Sequence, residues 1–306
     1  MHVLVTGGAG FIGSHLVDRL LIDGHEVRVL DDFSTGHREN LMHHERLAVT
    51  QGSVADFVTV DKLMQGVEWV FHEAAVASVP KSVDDPLGTH GVNYLGTLHV
   101  LEAARRHGVA RVVFAASAAA YGDLPGLPKR EDMPVSPLSP YAVDKMASEY
   151  ACYVYHRLYG LATVCLRYFN VFGPRQDPSS PYSGVISIFM DRLRRGETPT
   201  IYGDGGQIRD FVYVADVVEA NLRAVASEPA AGRVINVASG RPVTLLELLT
   251  TIGHIAGVDV RPRFEKPRVG DIRESLANIS LAEELMDWRP GYSLREGLEE
   301  LLASSA

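Results

Sequence analysis

The chain of 306 residues is short of several things, and each shortage removes a class of function. Cysteine occurs twice, at Cys152 and Cys165, in apolar surroundings and without metal-ligand spacing. Reduced core thiols are therefore expected, not a disulfide framework or a thiolate metal site. Only five of the 29 basic residues are lysine (62, 81, 129, 145 and 266), and 38 acidic residues bring the formal net charge to −9. That balance argues against a nucleic-acid or anionic-membrane surface. No apolar run reaches the ~18 residues that a membrane span requires. The strand-like run HVLVT starts at residue 2, which leaves no room for a leader, so a soluble, cytoplasmic protein is expected. The twelve histidines include the adjacent pair His43-His44. Adjacent histidines lack the spacing of a metal site on one helix face, so they read as surface residues and no metal is expected.

What is present is a regular alternation of two periods. Short apolar runs at 2–6, 26–30, 46–50, 68–72, 110–116 and 162–168 read as buried parallel strands. Between them, FIGSHLVDRLLIDG (11–24) and NYLGTLHVLEAARRHG (93–108) carry apolar residues at three- and four-residue spacing. Each ends in a glycine suited to a helix C-terminus. Strand–helix repetition of this kind implies an α/β fold, a doubly wound parallel sheet with helices on both faces. The regularity loosens after about residue 170, where proline and glycine crowd FGPRQDPSSPYSG and YGDGG. A second, smaller α/β lobe is expected there, its pieces interleaved with the first.

The stretch VTGGAGFIG puts Gly7, Gly10 and Gly13 at the first strand-to-helix turn. The spacing serves a tight turn, close approach of backbone to a pyrophosphate, and close packing of helix on strand, the Rossmann arrangement for a dinucleotide. Asp31 closes the second strand, eighteen residues beyond Gly13. A carboxylate there accepts from both ribose hydroxyls and repels a 2′-phosphate, which favours NAD over NADP. Asp32, Ser34, His37 and Arg38 follow closely, so Asp31 also reads as a turn residue.

Tyr141 and Lys145 in SPYAVDK stand four apart near the start of a helix, hence on one face. Twelve tyrosines and five lysines predict roughly 0.2 such pairs by chance, and this is the only one in the sequence. An ammonium beside a phenol is expected to lower the phenol's pKa toward neutrality, as a general base for an alcohol requires. Ser117 in VFAASAAAYGD is a lone hydroxyl among alanines.

With these residues in place, the chain resembles the extended short-chain dehydrogenase/reductases, and among them the UDP-hexose 4-epimerases. The resemblance runs through TGGAGFIGSH, FHEAA, PLSPYAVDK, LRYFNVFGPRQDP, GDGGQIRDFVYVADV and GDIRESLA, in the family's order. It implies that Tyr141 takes the proton of the sugar 4-hydroxyl while hydride passes from C4 to NAD, assisted by Ser117 and Lys145, and that hydride returns to the other face of a 4-keto sugar. It implies NAD contacts at Gly7, Gly10, Phe11, Ile12 and Gly13, then at Asp31, Asp32, Ser34 and Gly36. Further contacts are implied at Ser53 and Val54, at Ala74, Ala75 and Ala77, and at Asn93, Tyr141, Lys145 and Tyr168. Ser53 stands where the family usually has an aspartate, which puts that adenine contact in doubt.

For the substrate, the resemblance implies Ser78, Ser117, Tyr141 and Asn170, Val185 in the nucleotide wall, Tyr202 stacked on uracil, Arg209 and Arg268 on the diphosphate, and Asp271 on the uridine ribose. Guanidinium pairs bidentately with phosphate; either arginine taken singly also reads as a surface ion pair. Ser275 occupies a position where a small residue leaves room at C2, for UDP-N-acetylglucosamine as well as UDP-glucose. Related dehydratases carry Asp-Glu after the hydroxyl residue, and decarboxylases a Glu at the second position after it. Ala118 and Ala119 here cannot move a proton, which disfavours those chemistries. A non-catalytic NAD-sensing protein is the alternative from a different class. The expected division is 1–169, rejoined by about 210–237, for NAD, with 170–209 and 238–306 for the UDP-sugar. The resemblance also implies a homodimer through the helices around 93–107 and 141–159.

Overall fold

The computed structural model describes residues 1–177, 184–267 and 272–304. Its main sheet is built from β1 (His2–Thr6), β2 (Glu26–Asp31), β3 (Leu47–Gln51), β4 (Trp69–His72), β5 (Arg111–Ser117) and β6 (Ala162–Tyr168). A later strand, given below, completes it. The apolar runs thus become strands where the sequence placed them, within a residue at either end. One differs in burial. β3 is the edge strand, and its residues are exposed or half-buried, none of them buried. It has a neighbour on one side only, so RLAVT is not a buried strand.

The first helix, α1 (Phe11–Ile22), lays Leu16, Val17, Leu20 and Leu21 on one face of the sheet. Each such burial contributes about 1.5–3 kcal/mol. On the opposite face lie α2 (Phe57–Leu63), α5 (Gly96–His107) and α6 (Pro140–Tyr159), around Val60, Val100, Leu101 and Cys152. Two short helices, α3 (Val79–Asp84) and α4 (Pro86–His90), lead into α5 through a single π-helical turn at Gly91–Leu95. Gly108 ends α5 at φ 68°, a left-handed conformation that glycine adopts at no steric cost.

The chain then builds a second region. β7 (Asn170–Phe172), α7 (Val185–Arg194), β8 (Thr200–Tyr202) and β9 (Ile208–Tyr213) precede a return to the first. In that return α8 (Val214–Ala226) packs its small Ala220 and Ala224 over the large sheet, and β10 (Arg233–Val237) joins β6. The large sheet is now complete and wholly parallel, in the order β10-β6-β5-β4-β1-β2-β3. The remaining elements are β11 (Pro242–Thr244), α9 (Leu245–Ala256), β12 (Arg263–Glu265), α10 (Ser280–Met286) and α11 (Leu294–Ala303). β9 pairs with β7 and β11, β8 pairs with β12, and a separate apolar core joins α7, α9 and α11.

Strand order reverses between β1 and β4, where the two halves of the sheet diverge and leave a crevice at the carboxyl ends. Among the described residues no helix is long and apolar enough to cross a membrane. Cys152 and Cys165 are buried free thiols. The exposed apolar side chains concentrate on α3–α4 and α6: Leu87 is 84% and Leu158 71% exposed, with Val83, Tyr150, Tyr153 and Val154 beside them. The apolar positions of α5 are largely used inside the subunit, against α2 and α6.

Candidate active site

A cavity of about 580 Å³ opens at that crevice. Gly7, Gly10, Phe11, Ile12 and Gly13 line it, followed by Asp31, Asp32, Ser34 and Gly36 from the β2 end. Ser53, Val54, Ala74, Ala75, Ala77 and Ser78 also line it. Ser78, read from sequence as a sugar contact, therefore stands in the same wall as the NAD candidates.

Gly7 sits at φ 69°, and a Cβ there would lie 2.7 Å from the Ala74 backbone nitrogen. At Gly13 a Cβ would collide with the Gly7 carbonyl. Gly10, the N-cap of α1, makes no side-chain cap, so the amides of the first turn are left to an incoming anion. Asp31 is a turn residue and also lines the cavity. Its Oδ2 accepts from Ala9 N at 2.8 Å and its Oδ1 from Phe33 N at 2.8 Å, while the residue lines the cavity. Each oxygen keeps a second lone pair for a ribose hydroxyl. Ser53 accepts from Ala55 N at 3.2 Å in the turn that follows β3.

Asn93 lies in the π-helical turn and does not line the cavity directly. Its amide holds Val76, accepting from Val76 N at 2.7 Å and donating to Val76 O at 3.3 Å. Beneath the wall, Thr6, His72 and Thr97 form a buried chain, with Thr6 Oγ1 2.7 Å from His72 Nδ1 and His72 Nε2 3.0 Å from Thr97 Oγ1. Burial, reinforced by the Lys145 charge, pushes the His72 pKa down to about 3.

The catalytic candidates meet at the tips of β5 and α6. Ser139 caps α6 by accepting from Ala142 N, and Pro140 opens its first turn. This places Tyr141 and Lys145 one turn apart. Lys145 Nζ donates to Ala115 O at 2.7 Å and lies 5.9 Å from the centre of the Tyr141 ring. Ser117 caps the 3-10 turn Ala118–Tyr121, accepting from Ala119 N at 3.2 Å.

The electrostatics correct one expectation. Tyr141 holds its proton more tightly than a free phenol, because burial outweighs the Ser117 hydrogen bond that draws its pKa down, and the nearby Glu73 charge adds to the rise. Lys145 is itself pushed down to about 8 by burial, which Glu73, Glu149 and Asp144 oppose. Helical spacing alone missed this competing desolvation. Tyr168, at the tip of β6, donates to Glu73 Oε1 at 2.8 Å.

In the second region Asn170 is exposed on β7, beside Phe211 of β9. Arg209 on β9 donates to Ile208 O at 2.9 Å and Arg273 O at 3.5 Å. Ser275 is tied to the same strand through its N–H on Ile208 O at 3.0 Å. Tyr202 ends β8 and Val185 opens α7. Arg209 and Ser275 are thus neighbours, whereas Arg268 and Asp271 lie outside the described residues. Sequence reasoning missed Glu73, Lys81 and Arg175 in the cavity wall. Glu73 and Arg175 stood inside quoted runs, FHEAA and GPRQD, without being singled out. Arg175 pairs with Asp18 at 2.7 Å.

Comparison with known proteins agrees with this geometry. Residues 3–238 match the NAD dependent epimerase/dehydratase family. A UDP-glucose 4-epimerase of Mycolicibacterium smegmatis is 44% identical over 305 residues, covering 97% of this chain and 96% of that one. Two solved structures superpose with a TM-score of 0.95 at 40% identity. One is a UDP-N-acetylglucosamine 4-epimerase from Methanobrevibacter ruminantium in complex with UDP-N-acetylmuramic acid, covering 99% of this chain and 97% of that one. The other is a UDP-glucose 4-epimerase with UDP-glucose from Thermotoga maritima, covering 100% and 98%. Likeness on this scale, over both regions of the fold, means that the chain belongs to the NAD dependent epimerase/dehydratase family.

Proposed function

We propose that this chain inverts C4 of a UDP-hexose, through a transient 4-keto sugar, with NAD retained between turnovers. The observation that carries the reading is the meeting of Ser117, Tyr141 and Lys145 beside a dinucleotide-shaped crevice, with alanine at 118 and 119. The cavity residues fit the cofactor: a glycine-walled turn, an uncapped helix N-terminus and a carboxylate at the end of β2. Bound NAD supplies a two-electron acceptor for C4 and, when oxidised, a positive charge that favours the Tyr141 phenolate.

The chain's own groups do the rest. Tyr141 accepts the 4-hydroxyl proton and gives it back, and Ser117 hydrogen-bonds the same oxygen and orients it. The Lys145 ammonium, fixed by Ala115 O, offsets the negative charge that develops on the phenol. We assign the cofactor to 1–169 with 210–237, and the nucleotide sugar to 170–209 and 238–306. Asn170, Val185, Tyr202 and Arg209 are then assigned to the UDP portion and Ser275 to the sugar; Arg268 and Asp271, outside the described residues, are assigned to the UDP portion from the sequence alone. The small Ser275 leaves room for an N-acetyl group. We further assign the protein to the cytoplasm and to a homodimer, in which the exposed apolar side chains of α3–α4 and α6 are buried.

The test is proton NMR of purified protein with UDP-glucose and, separately, UDP-N-acetylglucosamine, without added NAD. A new galacto-configured anomeric signal is the expected result, and relative rates rank the sugars. No change with either sugar, even with NAD supplied, would remove these substrates and return weight to a non-catalytic NAD-binding role.

A further inference from the structure

One acidic group at the site has no part in the mechanism above. Glu73 is the residue after β4, and its N–H donates to Thr6 O at 3.1 Å. In the parallel register His72 stands opposite Phe114. Glu73 is therefore level with Ala115, whose carbonyl holds the Lys145 ammonium. Its side chain is half-buried, lines the cavity, and is held in place. Oε1 accepts from the Tyr168 hydroxyl at 2.8 Å, and that hydroxyl accepts from Asn221 Nδ2 at 2.8 Å. Asn221 is in turn fixed on α8 by donating to Val217 O at 2.9 Å. Three elements thus hold a carboxyl in place beside the reaction centre.

We propose that Glu73 is a positioning residue for proton transfer at this site: anchored by Tyr168 and Asn221, its carboxylate is the counter-charge that keeps Lys145 an ammonium at working pH. The inference rests on the catalytic reading of Tyr141 and Lys145. The surroundings support it. From α6 the charged or titratable groups within reach of Glu73 are Lys145 and Tyr141; from β6 it is Tyr168. His72, the preceding residue, is neutral throughout the working range. Lys145 also feels Glu149 and Asp144 on its own helix, but Glu73 is the strongest of the three. Burial pushes Glu73 up to about 7, against the opposing pull of Tyr168 and Lys145. Acid and base therefore change charge in adjoining pH ranges, and the loss of one weakens the other.

The decisive experiment compares the NAD-loaded parent with Glu73→Gln and Glu73→Asp. Gln keeps an acceptor for Tyr168 while removing the charge. If UDP-glucose is turned over, the alkaline limb of the kcat–pH profile should move at least half a unit toward acid in E73Q, with KM nearly unchanged. E73D should restore part of the shift. An alkaline limb that stays in place overturns the proposal. Two readouts do not need turnover. Glutamate carboxyl 13C shifts of the parent, with E73Q identifying the Glu73 signal, should show this carboxyl ionised by the pH of the alkaline limb; a Glu73 carboxyl still protonated there overturns the proposal. The phenolate absorbance that Tyr141→Phe removes should appear at lower pH in E73Q, because a negative charge beside the phenol is gone; an unmoved midpoint also overturns it. Should no UDP-sugar react, the epimerase reading fails, while these two titrations still decide the role of Glu73.

Discussion

At the scale of the residue, the site depends on atoms that are absent as much as on those present. Gly13 has no Cβ because the Gly7 carbonyl occupies that space. Gly13→Ala should therefore displace the turn, destabilise the fold by about 1–3 kcal/mol and abolish NAD retention. Thermal denaturation and the cofactor released on denaturing the purified protein check both. Glu73 makes a prediction of its own, with a defined sign. Its folded-state pKa, about 7, lies above the ordinary 4.5, so the folded state binds its proton more tightly than the unfolded state. The stabilisation is fully present below pH 4.5 and is lost as pH rises through 7. Glu73→Gln should thus be more stable than the parent at pH 8, by about 1–2 kcal/mol after allowance for partial exposure, and the advantage should vanish by pH 4.5. Urea denaturation at the two pH values measures it. Tyr141 and Lys145 were legible from their spacing alone. The sign of the tyrosine shift was not, because desolvation depends on what covers the ring, and nothing at i±4 reports that.

At the scale of the element, α6 acts as the mount for Tyr141 and Lys145, and its N-terminus is where they are set. Ser139 Oγ accepts from Ala142 N at 3.2 Å, in the same turn as Tyr141. Ser139→Ala should cost about 1 kcal/mol and loosen that turn. We expect kcat to fall several-fold with KM for the UDP-sugar and NAD content little changed, read by steady-state assay and cofactor release. A fall in KM-dependent terms alone would mean that the cap supports binding and not proton transfer. The strands and the two quoted helices were legible because apolar runs and three- and four-residue spacing survive as local patterns. The edge position of β3 was not, since an edge strand and an inner strand can share the run RLAVT. The π-helical turn at Gly91–Leu95 also left no periodic trace, yet it places Asn93 against Val76.

At the scale of the whole molecule, the chain leaves the large sheet after β6, builds part of the second region, returns through α8 and β10, and then completes the second region. The C-terminal part is anchored on that return. Trp288 is almost wholly buried, and its indole Nε1 donates to Asp216 O at 3.1 Å, while Asp216 accepts from Gly291 N at 2.7 Å. Trp288→Ala removes a large ring and leaves a cavity, so a loss of about 3–5 kcal/mol is expected, seen as a lower midpoint in chemical denaturation. The proposed dimer face is tested at Leu158, which is 71% exposed on α6. Leu158→Asp should yield monomers by light scattering at a concentration where the parent is dimeric, with folding intact, because the substitution places charge on a surface that is solvated in the monomer.

The sequence by itself determined the local grammar of this protein: which runs are strands, where the glycine-rich turn falls, and which tyrosine and lysine share a helix face. Those features depend on neighbours a few residues apart, and the spacing of side chains records them. Only the tertiary structure decided what depends on distant segments meeting. Asp31 proved to hold Ala9 and Phe33 as well as to line the cavity, and Ser275 was brought to β9 beside Arg209. Glu73 was joined to Tyr168 and, through it, to Asn221, with sequence separations of 95 and 53. The balance of burial and charge at the Tyr141–Lys145 pair belongs to the same class. Desolvation and counter-charge are set by packing in three dimensions, and no periodicity along the chain encodes them.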